Sequence, residues 1–231
     1  MTEMTETNEM HGTELTDVPQ RWNIPADASL QSVFEAPECS PWLRKTLSGP
    51  ISWQVRNEAT VRRALTSHRT ALPWVAALLA LGATVTLEGV EMPAPLADLI
   101  QRSVTGRIVT LHVPTEGVRY GAAQVGRTPA DDPIVAAYAG VTLNDKPPKT
   151  VQSARVALIG VWPRPVGLAQ AATKLIGRPL DEECIQTVAQ AVAQEVTPVG
   201  DFRGSEAYRR EMAAVLTRRA LEQCLYQEQR R

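Results

Sequence analysis

The chain has few of the residues that build metal centres. Its three cysteines, Cys39, Cys184 and Cys224, are far apart and form no C-x-x-C pair, and its three histidines show no ligand spacing. Because zinc sites and iron–sulfur clusters need grouped thiolate or imidazole ligands, we expect no metal site built by this chain alone. Reduced, structural cysteines suit a cytoplasmic protein, which is the compartment that we predict.

Long hydrophobic runs and a large net charge are also absent. The longest apolar stretch, residues 72–83, is too short to span a bilayer. The start of the chain has no basic residues followed by an apolar run, so it does not read as a secretory signal. The formal net charge is −1, which gives no basic field for nucleic acid. We therefore predict no membrane span and no nucleic-acid partner.

The motifs of common catalytic sites are missing as well. The sequence contains no G-x-S-x-G, no P-loop and no H-E-x-x-H. The pair Asp131–Asp132 precedes Pro133 and is typical of a turn. Two adjacent carboxylates without a third ligand make a poor metal site. We predict no catalytic residue and no metal site in this chain.

The sequence does have enough hydrophobic residues for a core, 44% of the chain. It also has clear signals for helices and strands along its length. Pro73 is placed to open a helix and Gly82 to end it. Asp181 and Ser205 are placed as N-caps of two later helices. The predicted strands cover residues 83–87, 107–113, 120–127, 133–143 and 153–162, and the predicted helices cover 41–47, 73–81, 96–100, 167–176, 181–196 and 205–227. This mixture predicts an α+β fold.

Three segments divide the chain. Residues 1–20 contain five acidic residues and no Lys or Arg, which predicts a flexible acidic tail. A linker at residues 115–117 separates a first domain, residues 21–115, from a second domain, residues 116–231.

The most informative segment reads Gln54-Val-Arg-Asn-Glu-Ala-Thr-Val-Arg-Arg-Ala-Leu65. It resembles the FAD-binding (medium) subunit of molybdenum hydroxylases, the family of CO dehydrogenase and xanthine dehydrogenase. In that family the segment runs Gln-hydrophobe-Arg-Asn, two further residues, then Thr-x-Gly-Gly-Asn. The matching positions here are Gln54, Val55, Arg56, Asn57 and Thr60. Arg62 and Arg63 replace the two glycines, and Ala64 replaces the asparagine.

The second half carries a longer resemblance. Asp201-Phe-Arg-Gly-Ser-Glu-Ala-Tyr-Arg-Arg210 resembles the family's C-terminal signature Asp-x-Arg-Gly-Ser-x-x-Tyr-Arg-Arg. Residues 125–135 and 154–161 are similar to two further family segments, so the resemblance covers residues 118–225. It implies a remnant of a PCMH-type FAD-binding α/β subdomain over residues 21–115. A CO dehydrogenase flavoprotein C-terminal domain would follow, with a small antiparallel sheet packed on a three-helix bundle.

The resemblance also assigns a candidate site, a remnant phosphate loop of Arg56, Asn57, Thr60, Arg62 and Arg63. Such loops use glycine because a Cβ blocks the approach of backbone N–H groups to the phosphates. Two more positions differ from the family: Pro73 replaces a cofactor-contacting Asp, and Gln124 replaces a frequent Lys. The first part of the family's flavin region also has no counterpart before Trp22. We therefore expect no cofactor, with FAD as the alternative.

Other roles for these residues stay open at this point. Arg56 and Asn57 either contact a cofactor or anchor a turn. Arg62 and Arg63 either bind a phosphate or form a solvated surface.

Two functions follow from the resemblance. The first is a non-catalytic, flavin-less paralogue of the medium subunit. It would dock between the molybdopterin-binding large subunit and the [2Fe–2S] small subunit of a molybdenum hydroxylase. The second is a functional FAD-binding subunit that relays electrons from the [2Fe–2S] clusters to an acceptor. In that case the cofactor supplies the redox chemistry, and the missing half of its cleft comes from another polypeptide.

Overall fold

The structure is a computed structural model. It describes residues 20–49, 51–67, 69–101, 104–128, 131–144 and 147–227. The predicted acidic tail therefore lies outside the described residues, except for Gln20. The described chain contains two four-stranded antiparallel sheets and a set of helices, and the α+β prediction is confirmed.

The first sheet lies in the first half of the chain. Its strands follow the order β1-β4-β2-β3, and all neighbours are antiparallel. Short helices surround the sheet and connect its strands. The strands are β1 (Arg21–Pro25), β2 (Thr84–Leu87), β3 (Ala94–Pro95) and β4 (Ile108–Pro114). The helices are α1 (Leu30–Glu35), α2 (Pro41–Leu47), α3 (Trp53–Glu58), α4 (Val61–Ser67), α5 (Leu72–Leu81) and α6 (Leu96–Ile100).

The second sheet is a simple meander in the second half. Two long helices pack on one of its faces. Asp181 and Ser205 cap these helices as predicted, because their side chains accept hydrogen bonds from the backbone N–H groups of Cys184 and Tyr208. The strands are β5 (Arg119–Val125), β6 (Val135–Leu143), β7 (Val151–Ile159) and β8 (Val166–Leu168), and the helices are α7 (Glu182–Glu195) and α8 (Glu206–Tyr226).

One predicted helix differs from the structure. Residues 167–176 were expected to form the first of three helices, but strand β8 occupies the start and a 3₁₀ helix, Gln170–Leu175, the rest. The strand extends the sheet beside β7. The carboxylate of Glu195 accepts the N–H groups of Gln170 and Ala171, both at 2.8 Å, and so holds the start of the tight helix. These long-range contacts outweigh the local helical spacing.

Helix α5 connects the two halves. Every residue from Pro73 to Leu81 is buried, because the helix packs on the second sheet with one side and on elements of the first half with the others. A helix that is apolar all round is typical of such a buried position. It approaches β6 closely at Gly140, where a Cβ would overlap the carbonyl oxygen of Ala80. Gly82 ends it in the left-handed conformation, φ 75°, as predicted.

Candidate functional site

The candidate phosphate segment is helical in the structure. Residues 54–65 run through helix α3 and into helix α4, which meet at Ala59 and Thr60. Ser52 caps α3, and Thr60 forms an isolated antiparallel bridge with Ser29. The backbone at Thr60 is therefore fixed against the segment that precedes α1. Helix α4 has seven residues, which is too short for a strong dipole at its N-terminus.

Arg56 and Asn57 hold this part of the fold together. The Arg56 Nε donates to Gln31 Oε1 at 2.8 Å, and its Nη1 donates to the carbonyl oxygens of Leu47 (3.1 Å) and Ile51 (2.7 Å). The guanidinium also lies 4.7 Å from the ring centroid of Phe34. Asn57 Nδ2 donates to Trp53 O within the same helix. In this geometry both side chains serve as anchors of the local backbone.

Four consecutive backbone N–H groups at the start of α4 are already used inside the protein. They belong to the residues that replace the family's phosphate-binding turn. The acceptors are Ala28 O for Val61 (2.9 Å), Ala26 O for Arg62 (2.7 Å), Thr60 Oγ1 for Arg63 (3.2 Å) and Thr60 O for Ala64 (3.0 Å). Because a nest for phosphate needs free N–H groups that converge on the anion, this backbone does not fit a diphosphate.

The side chains of the two arginines in this segment, Arg62 and Arg63, differ in their contacts. Arg62 Nε donates to Ile108 O at 3.0 Å, which ties α4 to strand β4. The side chain of Arg63 is exposed and has no partner among the described residues. Arg62 is therefore a structural contact, and Arg63 is the one arginine of the pair that is free to meet an anion.

A cavity brings together the other two positions that the resemblance assigned to a cofactor. Pro73 and Gln124 both line a space of about 260 Å³, which we call the β5 cavity. Trp42 from α2 and Tyr138 from β6 line the same space. Neither aromatic could be assigned to a site from the sequence, because Trp42 follows a proline in a short helix and Tyr138 lies in an apolar strand. The lining residues are Trp42, Lys45, Thr46, Ser48, Gly49, Pro73, Ala122, Ala123, Gln124, Tyr138 and Gln223.

The C-terminal signature forms a clamp around Arg209. Arg209 is 6% exposed, and its guanidinium donates to Ile134 O (2.8 Å), Gly160 O (2.9 Å) and Asp201 Oδ1 (2.7 Å). The hydrogen bond from Arg209 lowers the pKa of Asp201. Gly160 has φ 78°, and a Cβ there would overlap Ile134 O. The signature thus joins the start of α8 to the ends of β6 and β7.

Metal and membrane sites do not appear in the described ranges. No three His, Cys, Asp or Glu side chains among these residues are grouped so that they could hold a metal ion. Within the same residues, no helix is both long and apolar enough to cross a membrane.

Sequence comparisons identify the second half of the chain most directly. Residues 122–224 match the family of the CO dehydrogenase flavoprotein C-terminal domain. The glyceraldehyde dehydrogenase medium chain of Sulfolobus acidocaldarius is 26% identical over 179 residues, which is 74% of this chain and 63% of that protein. The 6-hydroxypseudooxynicotine dehydrogenase complex subunit alpha of Paenarthrobacter nicotinovorans is 28% identical over 194 residues, or 78% of this chain and 65% of that protein. The chain thus spans less than two thirds of the length of either relative.

A solved structure agrees with the sequence comparisons on the fold. A chain of the carbon monoxide dehydrogenase from Hydrogenophaga pseudoflava, in a form that lacks the Mo-pyranopterin moiety of the molybdenum cofactor, superposes with a TM-score of 0.71. The superposition covers 89% of this chain and 75% of that chain at 22% identity. At 22% sequence identity this match supports a shared fold and nothing more specific.

Proposed function

Because this chain belongs to the family of FAD-binding medium subunits of molybdenum hydroxylases, we propose that it is a non-catalytic, flavin-less paralogue that acts as a docking subunit. Its partners are the molybdopterin-binding large subunit and the [2Fe–2S] small subunit of such a complex. The observation that carries the proposal is the use of four consecutive N–H groups, from Val61 to Ala64, by acceptors within the chain.

The energetic argument concerns those N–H groups. To contact a diphosphate, the N–H groups of Val61 and Arg62 must leave the carbonyls of Ala28 and Ala26, which are part of the connection between β1 and α1. Each buried group left without a partner costs about 1–3 kcal/mol, and the new bonds to phosphate only replace what is lost. Arg62 would also have to release Ile108 O. A family member with glycines at positions 62 and 63 avoids the side-chain obstruction.

Exposed apolar side chains support the docking part of the proposal. Trp53 and Val55 lie on helix α3 and are 66% and 40% exposed, while Phe202 at the turn before α8 is 89% exposed. Large aromatic side chains are enriched among the anchors of protein interfaces. The turn that carries Phe202 is held by two hydrogen bonds between Asp201 and Gly204, so its shape is set before any partner arrives.

The alternative, a functional FAD-binding subunit, has one observation in its favour. The exposed Arg63 guanidinium is free of partners among the described residues and offers bidentate hydrogen bonding to a phosphate. That role requires a binding pose in which the phosphates lie outside the start of α4 rather than against its backbone. An R63A variant therefore separates the two functions if any flavin is found.

Flavin content is the direct test. The chain is purified alone and together with its partner subunits, and flavin is released and quantified before and after incubation with excess FAD. We expect no flavin in the isolated chain in either condition. Stoichiometric FAD that is lost in R63A would establish the alternative and overturn the flavin-less proposal.

Docking has its own measurement. A pull-down from extract at low salt should recover the molybdopterin and iron–sulfur subunits with the chain. Trp53→Ala should weaken the affinity of this interaction about thirtyfold, because hot-spot aromatics contribute roughly 2 kcal/mol or more to an interface. Met92→Ala is the matched control, because Met92 is another exposed apolar residue, at 79%, and lies on the loop between β2 and β3 rather than on α3. Full recovery with Trp53→Ala, or no recovery of these subunits with the unaltered chain, would count against docking through α3.

A further inference from the structure

We propose that Arg155, together with the hydroxyl groups of Ser153 and Thr142, binds a carboxylate group. We call these three residues the Arg155 site. They lie on the face of the second sheet that meets the first half of the chain, because Ala157 and Ile159, on the same side of β7, belong to the core shared with α5. The inference rests on the contacts of Arg155, on the two hydroxyl groups and on the end of α5.

The guanidinium of Arg155 is half-buried and has almost no acceptor within the protein. It lies against the backbone of Gly82, where a Cβ would come within 2.7 Å of its Cζ and Nη1 atoms. Its one hydrogen bond among the described residues runs from Nη1 to Ser153 Oγ at 3.5 Å, which is longer than usual for such a bond. A guanidinium has five N–H donors, so most of them remain available. The Nε and Nη2 atoms are not sealed from solvent, so a ligand can reach them.

No acidic side chain compensates for the burial of this cation. Arg155 forms no ion pair among the described residues, whereas the buried Arg209 pairs with Asp201 at 2.7 Å. Burial also lowers the pKa of Arg155 from its ordinary value, because the charged form loses hydration. A cation that is partly removed from water without a counter-charge is unfavourable, and a bound anion offsets this cost.

Two hydroxyl groups lie beside the guanidinium. Ser153 precedes Arg155 by two residues on β7, so both side chains are on the same face of the sheet. Thr142 on β6 is the direct cross-strand partner of Ser153, and side chains at such positions lie about 5 Å apart. Both hydroxyl residues are half-buried. A hydroxyl group rotates to donate, so an anion that binds Arg155 gains further donors from this row.

The end of α5 sets the charge that the Arg155 site accepts. The helix ends at Gly82, and the N–H groups of Gly82 and Ala83 already bond to the carbonyl oxygens of Leu78 and Leu79. The partial negative charge at a helix C-terminus favours the Arg155 cation and opposes further negative charge. A monoanion therefore suits this position better than a dianionic phosphate. The planar guanidinium pairs with a carboxylate through two parallel N–H···O bonds.

The Arg155 site is separate from the β5 cavity. Pro73, near the start of α5, lines that cavity, and Gly82 at the end of the same helix contacts Arg155. The two residues are about 13 Å apart along the helix axis, at 1.5 Å per residue. The carboxylate of the Arg155 site belongs either to a small ligand or to an acidic side chain of a partner subunit.

The experiment follows the Nε–H signal of Arg155 by NMR in the full, isotope-labelled chain. Sodium acetate is the probe, and sodium chloride at the same ionic strength is the control. The signal is assigned by its absence from Arg155→Lys. We expect a saturable shift with acetate and none with chloride, because chloride cannot form the paired hydrogen bonds of a carboxylate. A shift that does not saturate, or one that chloride reproduces, would overturn the proposal.

Variants locate the binding. Ser153→Ala should weaken acetate binding about fivefold, since one donor is lost while the guanidinium stays. Gln152→Ala is the matched control, because Gln152 is an exposed neighbour on the same strand, and should leave the affinity unchanged. Arg155→Lys keeps the charge but loses the planar donors, so acetate should no longer shift the backbone N–H signal of Ser153. Circular dichroism confirms that each variant folds. Equal affinities in Ser153→Ala and Gln152→Ala, or an unchanged shift in Arg155→Lys, would refute the assignment.

Recovery of the partner subunits identifies the source of the carboxylate. Lower recovery with Arg155→Lys would place the carboxylate on a partner. Unchanged recovery beside saturable acetate binding would assign it to a small ligand. The NMR titration needs the isolated chain alone, so its failure would leave the docking proposal intact, and a failure of docking would leave the Arg155 site intact.

Discussion

The clamp around Arg209 gives the sharpest stability prediction. In Arg209→Leu the buried carbonyls of Ile134 and Gly160 lose their donor, and Asp201 loses its cation. Each orphaned buried carbonyl costs about 1–3 kcal/mol, so we expect the free energy of unfolding to fall by about 2–4 kcal/mol, allowing for the partial exposure of Gly160. The Asp201 side chain is 43% exposed, so solvent screens its ion pair, and the small contribution of that pair lies within this range.

The assay is urea unfolding followed by circular dichroism, with the slope of the transition compared between variants. Arg210→Leu is the matched control, since Arg210 is the next residue and is exposed. It should change stability by less than about 0.5 kcal/mol. If Arg209→Leu lowered the free energy of unfolding no more than Arg210→Leu does, the hydrogen bonds of Arg209 would not stabilise the fold and the reasoning would be refuted.

The same pair predicts a pH dependence. The pKa of Asp201 is lower in the folded protein than its ordinary value, so its contribution to stability is present above the unfolded pKa of about 3.9. That contribution is lost as the pH falls through the lower, folded value. The difference in stability between the unaltered chain and Arg209→Leu should therefore shrink below about pH 4. A difference that stays constant down to pH 2, about two units lower, would show that Asp201 is not coupled to Arg209.

Two further substitutions test the packing and the caps. Gly140→Ala places a Cβ against Ala80 O and should destabilise the fold by roughly several kcal/mol, since neither β6 nor α5 can move aside. In Gly117→Ala the new Cβ meets no atom, so the change should cost only about 1 kcal/mol, for the positive φ of that residue. Thermal unfolding of the two variants measures the difference. Asp181→Ala removes the N-cap of α7 and should cost about 1 kcal/mol in urea unfolding, while Asp181→Asn should retain most of that stability; an equal loss in both would contradict a capping role.

Much of the secondary structure could be predicted because its signals are local. Pro73 lies in the first turn of α5, where its missing N–H is tolerated, and the N–H of Gly82 closes the helix on Leu78 O and Leu79 O. Asp181 and Ser205 cap α7 and α8 by accepting hydrogen bonds from N–H groups three residues on. The 3₁₀ helix at Gln170–Leu175 could not be predicted, because the carboxylate that caps it belongs to a helix farther along the chain.

The candidate site shows the same division. The presence of Arg62 and Arg63 in place of two glycines is visible in the sequence, because it is a local difference. The use of the Arg62 N–H by Ala26, far upstream, was not visible. The β5 cavity was beyond prediction for the same reason, because Trp42 and Tyr138 meet only when the two sheets are packed. The role of the five predicted site residues in cofactor binding stays a prediction.

Helix α5 also decides which part of the chain can fold as a unit. Residues 122–224 recur in other proteins as a recognisable stretch of sequence. Yet one face of the sheet in that stretch, which includes Tyr138 and Ile159, shares its core with α5 and other residues encoded well upstream. A gene that carried the recurring stretch alone would produce a sheet with a bare apolar face. Residues 122–224 therefore need a cover for that face, and in this chain α5 and its neighbours in the first half supply it.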